Sequence, residues 1–178
     1  MTSSSGAARL RILSLVAAAL WLALDQLTKH WALNSLATRT VHVLWMRFYL
    51  AFNSGMAFSR GRGMGPIIGV VALVVVVVLV VGMRRPPSRL AALATGLVIG
   101  GALGNVVDRL FRAGTAGFLR GRVIDFIELA RFWPVFNIAD VGIVVGGIVL
   151  VLTAVRQPPA DQAAPIADPP ASAPGDDA

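Results

Sequence analysis

Four apolar segments, separated by shorter polar ones, dominate the pattern of this chain. They run from Ile12 to about Leu24, from Pro66 to Gly82, from Leu90 to about Leu110, and from about Val135 to Val155. A helix needs about 20 mostly apolar residues to cross the hydrocarbon core of a bilayer. The pattern therefore predicts an α-helical membrane protein with four transmembrane helices.

The first apolar segment has two interpretations. Arg9 and Arg11 precede it, as basic residues precede the apolar core of a cleaved signal peptide. No small-x-small cleavage site follows, and Trp31 prolongs the apolar pattern, which favours a transmembrane helix. Residues 1–8 before it are predicted to be a disordered leader. Asp25 and Lys29 share one helix face near its far end, as an exposed interfacial ion pair or a buried structural one.

Between the first two spans the pattern changes from helical to extended. The segment TVHVLWMRFYLAF is rich in β-branched and aromatic residues with partial alternation, which predicts one or two strands at the membrane surface. It continues into NSGMAFS and the loop RGRGMG. Asn53 can donate and accept hydrogen bonds, and Gly55 permits backbone conformations closed to other residues.

The third and fourth spans combine small residues with polar ones. A glycine recurs every four residues from 96 to 104, which predicts a smooth stripe for close helix packing. This span ends in Asn105, Asp108 and Arg109, whose spacing puts them on one side of the helix. A basic, glycine-bearing loop from Phe111 to Trp133 follows and carries Asp125.

Composition narrows the function classes. A hydrophobic content of 56% and a mean hydropathy of +0.74 exclude an ordinary soluble domain. The chain has no cysteine and only two histidines, His30 and His42, so we expect no disulfide, no metal site and no cofactor. The basic residues flank apolar segments instead of forming one patch. Lipid headgroups are therefore expected partners despite the net charge of +7, and nucleic acid is not.

The last residues differ from the rest of the chain. After Arg156 the sequence is rich in Pro, Ala and Asp and has little to bury. We expect one membrane domain over residues 1–156 and a disordered tail over residues 157–178.

Asp125 and Asp140 are the most informative polar residues. Both have strongly apolar neighbours, and an ionisable group at membrane depth is costly enough that a functional role is the default hypothesis. Two nearby carboxylates can share one proton and perform acid–base chemistry. Asp108 competes for this role, but its neighbour Arg109 would hold it ionised. Because four spans place both termini on one side, all these polar residues are expected at the opposite face.

Five ordered motifs resemble the lipoprotein signal peptidase family, also called signal peptidase II. They are DQLTK (25–29), NSGMAF (53–58), GNVVDR (104–109), VIDF (123–126) and FNIAD (136–140). The resemblance covers about Arg9 to Arg156 and implies that Asp125 and Asp140 are the catalytic pair of an aspartic endopeptidase. Such an enzyme removes signal peptides from prolipoproteins by cutting before a diacylglyceryl-modified cysteine. The resemblance also implies four helices, a small extracytoplasmic β-sheet cradle and a flap, and supporting roles for Asp25, Lys29, Asn53, Gly55, Asn105, Asp108, Arg109, Asn137 and Ala139.

Several roles stay open at this stage. Asn137 either caps the fourth helix or orients a carboxylate, and Arg109 either anchors to a headgroup or binds substrate. Glu128 is expected to be a solvated interfacial charge. The loop RGRGMG, near Arg60 to Gly65, departs from the longer apolar stretch that the family often has, which leaves the length of the flap open. A small proton-coupled transporter or channel subunit is the alternative function, but it needs polar groups throughout the membrane depth, whereas the inner halves of these spans are uncharged.

The distribution of basic residues and the family resemblance predict opposite orientations in the membrane. More basic residues lie on the motif side than on the termini side, so a raw positive-inside count puts the motifs in the cytoplasm. The family resemblance implies the reverse: a monomeric, multi-pass protein of the inner membrane with cytoplasmic termini. We adopt that orientation, because the first helix usually dominates. The outer charge is then expected to attract anionic lipid headgroups, through Arg60, Arg62, Arg120 and Arg122.

Overall fold

The computed structural model describes residues 4–55, 63–83, 88–114, 116–129 and 133–156. The predicted tail and most of the predicted flap lie outside these residues. The helices are α1 (Ser4–Ser35), α2 (Gly65–Gly82), α3 (Arg89–Phe111) and α4 (Ile138–Val155), and the strands are β1 (Val41–Val43), β2 (Met46–Asn53) and β3 (Val123–Glu128). All four helices are long and apolar enough to cross a membrane. The predicted fold class, four spans with a small sheet, is confirmed.

Helix α1 is longer than the sequence indicated. It begins at Ser4, so the prediction of a disordered leader is wrong for the described residues 4–8. It ends at Ser35, which places Asp25 and Lys29 inside the helix instead of at its end. Both side chains are fully buried, so their pair is structural and not an exposed interfacial one. The helix continues past these charges because they find partners on other elements.

Helix α3 is the centre of the bundle. Two-thirds of the residues in its most apolar stretch are buried inside the protein, whereas most residues in the corresponding stretches of α1, α2 and α4 are not. A Cβ at Gly96 would lie 2.6 Å from the Cβ of Ala17, and one at Gly101 would lie 3.0 Å from Ile143 Cγ1. Because Gly96 lacks a side chain, α1 can approach the α3 backbone, which confirms the predicted packing stripe. Gly101, which lies outside that stripe, allows the same approach by α4.

The sheet has the order β1-β2-β3, with both pairs antiparallel. Asp125 was predicted in a loop, but it lies on β3, a fully buried strand whose outer edge pairs with Phe136. The predicted start of the fourth span at Val135 is also wrong. Helix α4 begins only at Ile138, since the residues before it run extended along β3.

Glu128 is not the solvated charge that the sequence suggested. It is 6% exposed, and its Oε2 accepts a hydrogen bond from Arg47 Nε. The antiparallel register puts Arg47 directly opposite Glu128, so the two charges meet across the strands. The pairing compensates the burial of this carboxylate.

Candidate active site

Asp125 and Asp140 line the same cavity, of about 420 Å³. Asp125 reaches it from β3 and Asp140 from the first turn of α4. The rest of the wall comes from the end of β2 and the turn after it, from β3, from α2 and α3, and from α4 with the chain before it. It is largely apolar and includes Ile68, Ala72 and Ile143. Two carboxylates from distant elements therefore meet in a mostly hydrocarbon-lined space.

Asn137 performs both of the roles that the sequence left open, capping α4 and orienting a carboxylate. Its Oδ1 accepts a hydrogen bond from Asp140 N at 3.1 Å, and Asp140 Oδ2 accepts one from Asn137 N at 3.2 Å, which is a capping box at the start of α4. Its Nδ2 also donates to Asp125 Oδ1 at 2.7 Å. One buried side chain thus caps the helix and connects the two aspartates.

A second amide holds the other oxygen of Asp125. Asn53 Nδ2 donates to Asp125 Oδ2 at 3.0 Å, and Asn53 Oδ1 accepts from Gly55 N at 2.9 Å. This turn closes at the end of β2, where a buried glycine leaves room for the backbone to fold back. Both oxygens of Asp125 therefore have fixed donors.

Asn105 performs the same task for Asp140. Its Oδ1 accepts hydrogen bonds from Lys29 Nζ at 3.0 Å and from Asn137 Nδ2 at 3.1 Å. Because two donors occupy Oδ1, Nδ2 faces the opposite way and donates to Asp140 Oδ1 at 2.8 Å. The sequence spacing puts Asn105 and Asp108 on one side of α3, but the structure directs the Asn105 amide to Asp140 on another helix.

Lys29 lies fully buried between two carboxylates. Its Nζ is 2.8 Å from Asp25 Oδ2 and 2.9 Å from Asp108 Oδ2. Asp25 Oδ1 accepts from Ala139 N at 2.9 Å, and Asp108 Oδ2 accepts from Ile124 N at 3.2 Å. The ion triad therefore joins α1, α3, α4 and β3, and both backbone groups that it binds are next to a cavity aspartate.

Asp108 does not pair with Arg109, as the sequence had suggested. Its cationic partners are Lys29 and Arg112, whose Nε lies 2.6 Å from Asp108 Oδ1. Gln26 Nε2 adds a contact to the same oxygen at 3.3 Å. The sequence analysis missed Gln26 and Arg112, although the i,i+4 spacing of Asp108 and Arg112 was a usable signal.

Arg109 turns instead toward the cavity that holds both aspartates. It lines the cavity and is only 6% exposed. Its Nη1 donates to Asn105 O at 3.3 Å, but its buried Nε has no hydrogen-bond partner within the described residues. A buried donor without a partner is costly. A bound group with a free oxygen would remove that cost.

The environment of Asp125 favours its protonated form. Burial and, second, the nearby charge of Asp140 together raise the pKa of this carboxyl to about 7, against the opposing effect of the hydrogen bonds from Asn53 and Asn137. A carboxylic acid that keeps its proton near neutral pH can donate a hydrogen bond to a carbonyl.

The described residues contain no group of three or more His, Asp or Glu side chains that could hold a metal ion.

The comparisons with known proteins agree with this geometry. The family model for signal peptidase (SPase) II matches residues 17–156. This chain belongs to the signal peptidase II family. It is similar to the lipoprotein signal peptidase of Rhodococcus jostii, 44% identical over 145 residues, 80% of this chain and 72% of that one. It also resembles the one of Mycobacterium leprae, 41% identical over 150 residues, 83% of this chain and 73% of that one.

Solved structures share the fold. A bacterial membrane enzyme determined by the in meso method superposes with a TM-score of 0.68 at 23% identity, covering 80% of this chain and 87% of that chain. A second such structure gives 0.67 at 24% identity, covering 82% and 94%. Family membership confirms the prediction of an aspartic membrane peptidase of the signal peptidase II type. The comparisons give no support to a transporter.

Proposed function

We propose that this enzyme removes the signal peptide from diacylglyceryl-modified prolipoproteins by cutting before the modified cysteine, with Asp125 and Asp140 as the catalytic pair. One observation carries the proposal: two carboxylates from β3 and α4 line one cavity, each with both oxygens held by hydrogen-bond donors. Fixed carboxylates of this kind suit direct attack by water without a covalent intermediate.

The chemistry follows from unequal roles for the two acids. Asp125, whose pKa is raised to about 7 chiefly by burial, donates its proton to the scissile carbonyl oxygen. Asp140 accepts a proton from the attacking water, and the new C–O bond forms a tetrahedral intermediate. The C–N bond then breaks as a proton passes from Asp140 to the leaving amine, and the carbonyl re-forms as its proton returns to Asp125.

Arg109 suits the task of holding the substrate backbone. Its unpartnered Nε is buried in the wall that carries both aspartates. A peptide carbonyl in the cavity would accept this hydrogen bond and satisfy the donor. We therefore favour substrate binding over headgroup anchoring for Arg109.

The cavity also suits a substrate that arrives from the bilayer. Helices α2 and α4 each pack on α3, but within the described residues they share no extensive contact with one another. Ile68 and Ala72 of α2 and Ile143 of α4 line the cavity between them. The acyl chains and the apolar signal helix can enter laterally at this opening while the scissile bond reaches the aspartates.

The proposal includes the location of the protein. We assign the aspartates to the extracytoplasmic face of the inner membrane and both termini to the cytoplasm. A reporter enzyme that works only in the cytoplasm should therefore be active when it is fused after Arg156, and one that works only outside the cytoplasm should be inactive there. Because one chain supplies both aspartates and the amides that hold them, we also propose that the monomer is the active form. Activity per molecule should therefore be unchanged on dilution through the range in which an oligomer would dissociate.

The decisive experiment uses the purified protein with a diacylglyceryl-modified precursor and, as control, the same precursor without the lipid. The expected result is cleavage before the cysteine of the lipidated precursor only, unaffected by a chelator. Cleavage that stops on chelation would contradict the aspartic mechanism. Equal cleavage of the precursors with and without the lipid would contradict the substrate assignment.

A further inference from the structure

A second cleft, of about 410 Å³, shares no described lining residue with the cavity of the aspartates. It lies between the first turn of α2 and the loop that connects α3 to β3. None of its described lining residues is acidic, and two are arginines: Ser54, Gly63, Pro66, Gly114, Arg120 and Arg122. The peptidase reaction as described makes no use of this basic cleft.

The loop that carries the two arginines is fixed to the helices. Leu119 is fully buried, with a φ of 57° that is uncommon for a branched residue. Its side chain packs on α2, where a Cβ at Gly69 would lie 3.0 Å from Leu119 Cδ1. Gly121 N donates to Arg109 O at 2.9 Å, which ties the loop to the end of α3. Arg120 and Arg122, two residues apart around Gly121, are therefore presented from an ordered backbone.

The guanidinium groups remain available to a ligand. Arg122 lies over the Phe52 ring, with its Cζ 5.3 Å from the centroid, and its Nε makes a long contact of 3.5 Å to Ala113 O. Within the described residues neither Arg120 nor Arg122 forms an ion pair, and neither donates a hydrogen bond through an Nη group. The ring orients Arg122 without neutralising it.

The level of the cleft indicates what it binds. It lies where α2 begins at Gly65 and α3 ends at Phe111, which is the end of two membrane spans. Phosphates of lipid headgroups occupy that level of a bilayer. Two arginines line this cleft together with the first turn of an 18-residue helix, whose N-terminus carries partial positive charge, so the site matches a phosphate in charge. We propose that this cleft binds the headgroup phosphate of an anionic phospholipid, as a site separate from that of the substrate.

The test uses the full chain in phosphatidylcholine nanodiscs that contain increasing amounts of phosphatidylglycerol. Retained phosphatidylglycerol is measured by native mass spectrometry, and thermal unfolding is followed in parallel. The wild type should retain phosphatidylglycerol selectively and unfold at a higher temperature as its fraction rises. In the variant Arg120→Gln/Arg122→Gln the apparent affinity should fall by about tenfold to thirtyfold, since each arginine contributes up to about 1 kcal/mol near a charged surface. The matched control Arg9→Gln/Arg39→Gln removes two exposed charges that are not among the described lining residues of the cleft, and it should behave as the wild type.

Further arms separate the other occupants. Arg120→Gln alone removes a side chain with no hydrogen bond to the described residues and should weaken retention even if the double variant folds poorly. Inorganic phosphate at the same concentration should not raise the unfolding temperature, and equal protection by it would overturn the lipid assignment. Wild-type retention by both variants would overturn the site. A defect seen only with precursors that carry acidic residues after the cysteine, in neutral membranes, would assign the cleft to the mature polypeptide instead.

Discussion

The fully buried ammonium of Lys29 lies 3.0 Å from Asn105 Oδ1, and this contact turns the Asn105 amide toward Asp140. A residue of α1 therefore acts on a carboxylate of α4 through a side chain of α3. The same ammonium neutralises Asp25 and Asp108, so orientation and stability depend on one group.

Replacement of Lys29 by Met tests that dual role. It leaves the buried Asp25 without a cation and Asp108 with Arg112 alone, and breaking such a buried ion pair costs about 3–5 kcal/mol. Thermal unfolding should show this loss, and cleavage should disappear. The control Thr28→Ala, on the neighbouring helix face, should preserve both. A Lys29→Met variant with normal stability would contradict the role of the triad.

Asn105→Ala separates orientation from charge. The ion triad stays intact, but Asp140 loses the donor to its Oδ1. We expect kcat to fall by up to about a hundredfold, because misplacement of a catalytic group has effects of that size, while KM changes little. Steady-state initial rates of cleavage over a range of substrate concentrations measure both. An equal rise in KM with kcat unchanged would show that Asn105 serves substrate binding instead.

Substitution of either catalytic candidate should abolish turnover without unfolding the protein. Asp125→Asn and Asp140→Asn keep the volume and most hydrogen bonds but lose the proton chemistry. Cleavage of the lipidated precursor and thermal unfolding are measured together, with Asp161→Asn in the tail as the control. Near-normal turnover of either site variant would remove that residue from the mechanism.

The raised pKa of Asp125 makes both activity and stability depend on pH. Burial, and to a smaller extent the charge of Asp140, raise the pKa of Asp125 from 3.8 to about 7. Between these two pH values the folded state keeps a proton that the unfolded state has released. This contribution to stability, about 4 kcal/mol at most, is complete below pH 3.8 and is lost as the pH rises through about 7. The rate of cleavage should decline as the pH rises through about 7, because Asp125 then loses the proton that it donates. Asp125→Asn should flatten the stability profile, and an unchanged profile would show that another group titrates.

Asp108→Asn should destabilise the protein through Lys29 and Arg112, not through Arg109. The buried contact to Lys29 is the larger loss, since the Arg112 side chain is 24% exposed and its pairing is worth about 1 kcal/mol or less. Unfolding of Asp108→Asn is compared with that of Arg112→Gln and Arg109→Gln. If Arg109→Gln matched the Asp108→Asn loss and Arg112→Gln and Lys29→Met did not, the assigned partners would be wrong.

The chain by itself determined the membrane class, the four spans and the five motifs, because apolar length and motif order are properties of contiguous residues. It also predicted that Asp125 and Asp140 are functional, since carboxylates among apolar neighbours stand out locally. The division into residues 1–156 and a disordered tail stays a prediction, as does the identity of the catalytic pair.

The partners of the buried polar groups were decided only by the tertiary structure. Asn105 meets Asp140 and not Asp108, Lys29 takes the place assigned to Arg109, and strand register buries Glu128 against Arg47. Spacing along a helix shows which side chains share a face, but not which element packs on that face. The energy of a buried charge depends on the groups within a few ångströms of it, and packing across the bundle brings those groups from distant parts of the chain.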